Sequence, residues 1–111
     1  MSNEPQPFMT IRGQGRADLE IKRSRFLALV APSADEAAAR ALVAGERARY
    51  PDANHHTFAY RLGQGGDTGR FSDDGEPGGT AGRPMMEVLL RESLVNVVVV
   101  VTRYFGGTPL G

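Results

Sequence analysis

The chain has no cysteine, no tryptophan, one lysine and no formal net charge. Each shortage excludes something. Without cysteine there is no disulfide framework, no thiolate metal site and no thiol nucleophile, and the expected compartment is a reducing one. Thirteen basic side chains against thirteen acidic ones leave no bulk charge with which to grip nucleic acid, so a polyanion site would have to be a local patch. Long apolar runs are also missing: Phe26–Ala31 and Val97–Val101 fall far short of the roughly 20 residues of a bilayer helix. The opening Met1-Ser-Asn-Glu-Pro-Gln-Pro lacks the basic-then-apolar order of a secretory signal, and the chain reads as soluble and cytoplasmic. At 111 residues it is expected to be one domain over 8–111 behind a disordered lead-in, Met1–Pro7. Twelve of the thirteen cations are arginine, a bias that suits carboxylate or phosphate recognition but also follows from base composition of the coding sequence.

Phe8–Arg12 and Arg16–Lys22 flank Gly13-Gln14-Gly15 and read as a hairpin. The second arm alternates, Ala17, Leu19 and Ile21 on one face and Arg16, Asp18, Glu20 and Lys22 on the other, which predicts one wet sheet face. Arg25–Ala31 reads as a more central strand. Ser33-Ala-Asp-Glu36 has the form of a capping box. The helix behind it carries Ala34, Ala37, Ala38, Ala41, Leu42, Ala44 and Ala48 opposite Glu36, Arg40 and Arg47. Asn54–Leu62 reads as a strand with Phe58 and Tyr60 on one face, and Thr57 and Ala59 are expected under the alanine-rich helix. Gly63–Gly82 holds eight glycines in twenty residues and reads as a functional loop. Pro84 fits the first turn of a second helix with Met85, Met86, Val88, Leu89 and Leu90 on its apolar side. Val95–Thr102 is β-branched apart from Asn96 and predicts a strand buried on both faces. The order β-β-β-α-β-loop-α-β predicts an α/β fold of the α+β type, a two-layer sandwich on one mixed sheet.

The densest polar constellation is Ser72-Asp73-Asp74-Gly75-Glu76-Pro77-Gly78-Gly79-Thr80-Ala81-Gly82-Arg83. Its second half, Gly79–Gly82, feeds a helix N-terminus where an anion could dock, with Thr80 and Arg83 adding donors. Equally, the glycines only turn the chain and Thr80 only caps the helix. The run is neither a Walker loop nor a dinucleotide fingerprint. Asp73, Asp74 and Glu76 could hold Mg²⁺ or act as acid and base, but carboxylates on a turn more often cap amides or stand in solvent. No metal and no cofactor is expected. His55 and His56 are adjacent on a strand and point to opposite faces, which argues against joint metal ligation; one of them is expected to bond a loop backbone group. Thr102-Arg103-Tyr104-Phe105-Gly106-Gly107 leaves the apolar strand at its carboxyl end, where α/β folds bind ligands. There Arg103 and Tyr104 either grip a phosphate or a base, or close the core with Phe105.

Lys22-x-Ser24-x-Phe26, His55, Ala59-Tyr60, Ser72-Asp-Asp-Gly-Glu-Pro77, Thr80-Ala-Gly82 and Thr102-Arg-Tyr-Phe-Gly-Gly107, in this order, closely resemble the amino-terminal domain of the IMPACT/YigZ family. The resemblance implies the two-layer fold of the second domain of a small-subunit ribosomal protein, used also in the fourth domain of elongation factor G. It implies for eukaryotic relatives a restraint on the starvation-responsive kinase of translation initiation, and for bacterial ones a ribosome-linked role by fold analogy. Gly78 stands where the family usually has Ser, and Thr108-Pro109 replaces an aliphatic-Lys pair. The chain stops where the family continues into a further helix and strand, so a fragment with an uncovered apolar sheet face is expected. These readings converge on a non-enzymatic translation-linked module with no catalytic residue. Its rim of Arg25, Arg83, Arg103 and Tyr104 stands beside His55 and the loop of Asp73, Asp74, Glu76, Gly79 and Thr80. The expected partner is RNA or a ribosome-associated protein, not DNA and not a membrane; the oligomeric state is open. The alternative is an enzyme or sensor holding a small phosphorylated ligand at the glycine-rich helix start.

Overall fold

The computed structural model describes residues 10–63, 68–75 and 81–105. Strands β1 (Gly15–Ile21), β2 (Ser24–Pro32), β3 (His55–Leu62), β4 (Thr68–Ser72) and β5 (Val97–Tyr104) form one sheet in the order β1-β2-β5-β3-β4. Helix α1 (Glu36–Arg49) joins β2 to β3, and α2 (Gly82–Arg91) follows β4. The α+β class is as expected, but every pairing between these strands is antiparallel, so the sheet is not mixed. Although β2 and β3 run parallel, they are not neighbours: β5, the most apolar strand, enters between them antiparallel to both and takes the centre, where burial gains most.

Alternate residues of β5 sort to two cores. Val98 and Val100 pack with Leu29, Tyr60 and Leu62 under Ala39 and Val43 of α1. Val97 and Val99 pack with Ala59 under Met85, Met86 and Leu89 of α2. The sandwich is therefore refined to one helix on each face of the sheet. Tyr60 and Phe58 face α1, and the small Ala59 faces α2, the reverse of the expected placing. The reason is volume: a face of alanines leaves space that rings fill, while methionine and leucine side chains need a small residue beneath them. No helix among the described residues is long and apolar enough to cross a membrane.

Several local expectations are corrected. Of the expected strand Phe8–Arg12, Phe8 and Met9 lie outside the described residues and Thr10–Arg12 is not strand; Ile11 packs on the α2-side core instead. The hairpin turn lies at Lys22-Arg23, between paired Ile21 and Ser24. The N-cap of α1 is Asp35, whose Oδ1 accepts from the Ala38 N–H at 2.8 Å, while the Ser33 hydroxyl donates to the Asp35 carbonyl. The buried side of α1 is Ala39, Val43 and Glu46, with Leu42 beside it, and Ala34, Ala37, Ala41, Ala44 and Ala48 are exposed. A methyl group gains little by burial, so valine and leucine set the face. Glu46, only 4% exposed, is accepted there because Arg16 of β1 meets it with two bonds at 2.9 and 3.1 Å.

The segment expected to be one long loop contains β4. Gly69 lies in that strand because Met86 of α2 comes within 3.2 Å of where a Cβ would stand. On the face away from α1, β1, β2 and β5 are incompletely covered. Leu19 and Ile21 are 56% and 54% exposed, and Phe26, Ala28, Val30, Val99 and Val101 are half-buried. Accordingly, the apolar side of β1 is as exposed as its polar side.

Candidate functional site

The candidate site is the end of the sheet where β2 and β3 begin and β5 finishes. The register puts Arg25 opposite Tyr104, Phe26 opposite Arg103, and His55 opposite Arg103 from the other side. The β1–β2 turn belongs to the same end. Its two residues, Lys22 and Arg23, both take positive φ, 51° and 72°, as a two-residue hairpin with right-handed strand twist requires. Neither is Gly or Asn, so the turn holds strain of order 1–2 kcal/mol per residue and displays two exposed cations at its tip.

Arg103 is the centre of one side. Its guanidinium lies over the rings of Phe26 at 5.3 Å and Phe105 at 4.6 Å, and Nη2 donates to Ser24 Oγ at 3.5 Å. The Phe105 ring stands edge-on to His55, centroids 5.3 Å apart, and its N–H donates to Asn54 Oδ1 at 2.8 Å. His55 Nδ1 lies 2.7 Å from the Asp74 carbonyl, which can only accept, so that nitrogen carries the proton. This is the bond from a histidine to a loop backbone group that the strand reading predicted. Gly75, at φ 85°, passes the His55 ring at 3.5 Å from a would-be Cβ. Asp74 Oδ2 accepts from the His56 N–H at 2.6 Å, while Oδ1 stands 3.4 Å from Arg47. Thus the acidic-glycine segment is stitched to the start of β3 and, through the His55 ring, to Phe105 and Arg103.

Arg25 and Tyr104 stand at the same end on the α1 side. Arg25 grips Asp18 with two bonds at 3.1 and 2.7 Å, and its hydrogen bonds hold that carboxyl below the usual range. The Tyr104 hydroxyl donates to Asp52 Oδ1 at 2.8 Å, and desolvation, then Asp52, pushes its pKa up. The rim is therefore two-sided, Arg103 with His55 on one face and Arg25 with Tyr104 on the other.

Asp73 has a different role. Its Oδ1 accepts from the N–H groups of Ala81 and Gly82 at 3.1 and 2.8 Å, capping α2, which has no cap from its own N-terminal residue. These are the amides a docked anion would need, and the chain's own carboxylate already meets them. Gly82 is required there, because a Cβ would fall 2.8 Å from the Ser72 carbonyl oxygen. Arg83 is exposed on the first turn of α2. His56 points to the opposite face from His55, buried, with Nδ1 3.1 Å from Thr102 Oγ1. No group of three metal-ligating side chains occurs among the described residues. Glu76, Gly78, Gly79, Thr80 and Thr108-Pro109 lie outside them. Sequence reasoning did not place Lys22, Arg23, Phe26, Asn54 or Phe105 in the site; the spacing Lys22-x-Ser24-x-Phe26 was the available signal for the β1–β2 turn and the start of β2.

Residues 22–111 match the Impact N-terminal domain family. The chain is 46% identical over 94 residues to the IMPACT family member YigZ of Escherichia coli (strain K12), covering 83% of this chain and 46% of that one. A crystal structure of a hypothetical protein superposes with a TM-score of 0.80 at 40% identity, covering 89% of this chain and 49% of that chain. The two-domain translational regulator Yih1 gives 0.62 at 29% identity, covering 100% of this chain and 46% of that chain. The chain thus spans about half the length of the relatives it matches. A match running from Lys22 to the last residue, on the fold just described, makes the chain a member of the IMPACT family, of which it carries the amino-terminal domain.

Proposed function

We propose that this chain is a translation-linked docking module that contacts RNA or a ribosome-associated protein through the Arg103 end of its sheet. The observation that carries the reading is the convergence of three distant segments, 22–26, 54–56 with 73–75, and 103–105, on one rim. Rigidity is what such a rim supplies: Arg103 is held by two rings and a hydroxyl, so little side-chain freedom is lost when a partner binds it. Lys22, Arg23 and Arg103 give it local positive charge on a chain with no net charge. The likeness to Yih1, a two-domain translational regulator, supports the direction of the role. A phosphorylated small ligand at the start of α2 is the weaker reading, because Asp73 occupies the amides it would use.

The test is capture of partners from a bacterial lysate by the full chain and by Arg103→Ala, with and without ribonuclease. The account expects ribosomal components with the parent chain and their loss with Arg103→Ala. Survival after ribonuclease identifies a protein contact, and disappearance identifies an RNA one. Equal capture by both chains, or capture of no translation component, overturns it.

A further inference from the structure

Between helix α1 and strands β3 and β4 lies an open cleft of about 310 Å³, apart from the Arg103 rim, whose floor is the outer edge of the α1-side core. Its floor is apolar, formed by Val43 and Ala44 of α1 and by Phe58, whose ring stacks on that of Tyr60 at 5.8 Å and 7°. Three arginines line it, Arg40 and Arg47 from α1 and Arg70 from β4, and among the described residues no carboxylate does. Acids at the margins leave this charge incompletely compensated. Glu36 stands 3.6 Å from Arg40 but also accepts from the Tyr60 hydroxyl at 2.6 Å. Asp74 is 3.4 Å from Arg47 while its other oxygen takes the His56 N–H. Arg70 meets no carboxylate at bridging distance among the described residues; its Nη1 donates to the Gly69 carbonyl at 3.1 Å. Next to it in the edge strand β4, Phe71 is 47% exposed.

We propose that this cleft docks a short acidic peptide segment of a partner protein, with one large apolar side chain seated on Phe58 and Val43 and flanking carboxylates on the arginines. Charge complementarity sets the sign of the partner, and the guanidinium forks suit carboxylates. An apolar floor of this size takes one anchor side chain, the usual source of affinity in such contacts. An RNA strand fits less well. Tyr60 is 2% exposed and stacked on Phe58, so this ring pair leaves no gap for a base. Glu36 and Asp74, next to Arg40 and Arg47, are compatible with a few spaced carboxylates but repel a phosphate at every nucleotide.

The experiment is fluorescence anisotropy of the full chain with a labelled octapeptide, a central Leu-Phe pair flanked by three acidic residues on each side. Saturable binding is expected, with a Kd of roughly 10–500 µM for so small a contact. Arg70→Glu and Ala44→Glu, both at exposed positions, are each expected to weaken it at least about tenfold, as is replacing the central pair by alanines. Circular dichroism of both variants verifies folding, and the second variant serves if the first does not fold. Arg103→Ala leaves this binding unchanged, which separates the cleft from the rim. No saturation by about 5 mM peptide, equal binding by the folded acidic variants, or displacement of the peptide by oligouridine at lower concentration than by unlabelled peptide would overturn the proposal.

Discussion

Asn96 shows how much one side chain can fix. It sits at φ 58°, its N–H donates to the Arg61 carbonyl at 2.6 Å, its carbonyl accepts from Ser33, and its Oδ1 accepts from the Gly63 N–H at 3.0 Å. It therefore ties the ends of β2 and β3 to the start of β5. Asn96→Ala loses the side-chain bond and with it the local bonding that lets asparagine tolerate the left-handed region, an expected cost of about 2 kcal/mol, whereas Asn96→Gly loses the same bond but relieves the backbone and is expected to cost about half as much; urea midpoints measure both. Glu36, like Asp18, contributes acid sensitivity. The Tyr60 hydroxyl, with Arg40, holds its pKa below the ordinary 4.5. A carboxyl depressed in the folded state contributes stability above its unfolded pKa and loses it as pH falls through the folded value. Stability is thus expected to fall on acidification below about pH 4.5, and in Tyr60→Phe the Glu36 titration, followed by carbon NMR, is expected to move up toward 4.5. An unmoved Glu36 in that variant would contradict the assignment of cause.

The elements were legible in unequal measure, for physical reasons. β2 and β5 declare themselves by runs of apolar and β-branched residues, and α2 by Pro84 and its methionine-leucine side. β4 was hidden because Thr68-Gly-Arg-Phe-Ser72 has one apolar side chain and a glycine, and that glycine is there for Met86. The buried side of α1 was misread because Glu46 is polar; only the fold brings Arg16, thirty residues away in the chain, to meet it. That pair links β1 to α1. Arg16→Leu leaves a carboxylate at a buried position and is expected to destabilise by about 2 kcal/mol, with most of the loss recovered in the Arg16→Leu/Glu46→Leu double variant, measured by thermal unfolding. The start of α2 is constrained as tightly. Gly82→Ala sets a Cβ 2.8 Å from the Ser72 oxygen and is expected to cost about 1–3 kcal/mol. Asp73→Ala removes the cap and is expected to cost about 1 kcal/mol in the same assay.

For the whole molecule, the sheet order matters more than any motif. The sequence marked the acidic-glycine segment and the Arg103-Tyr104-Phe105 segment as unusual, but their meeting follows from β5 lying beside β3, which no local pattern states. The same order carries Lys22 and Arg23 to that end, while the alternation of side chains along β2 and β5 divides Arg25 and Tyr104 from Arg103 across the two faces. It also sets the arginine cleft beside α1 apart as a second surface. A neutral chain with two local cationic surfaces should bind by position rather than by bulk attraction, and a moderate rise in salt should weaken binding only as far as a few contacts allow. The most direct test of the rim is amide hydrogen exchange of the full chain with and without purified ribosomes. The account predicts joint protection of residues 22–26, 54–56, 73–75 and 103–105; protection confined to other segments, or none at saturating ribosome concentration, would contradict it.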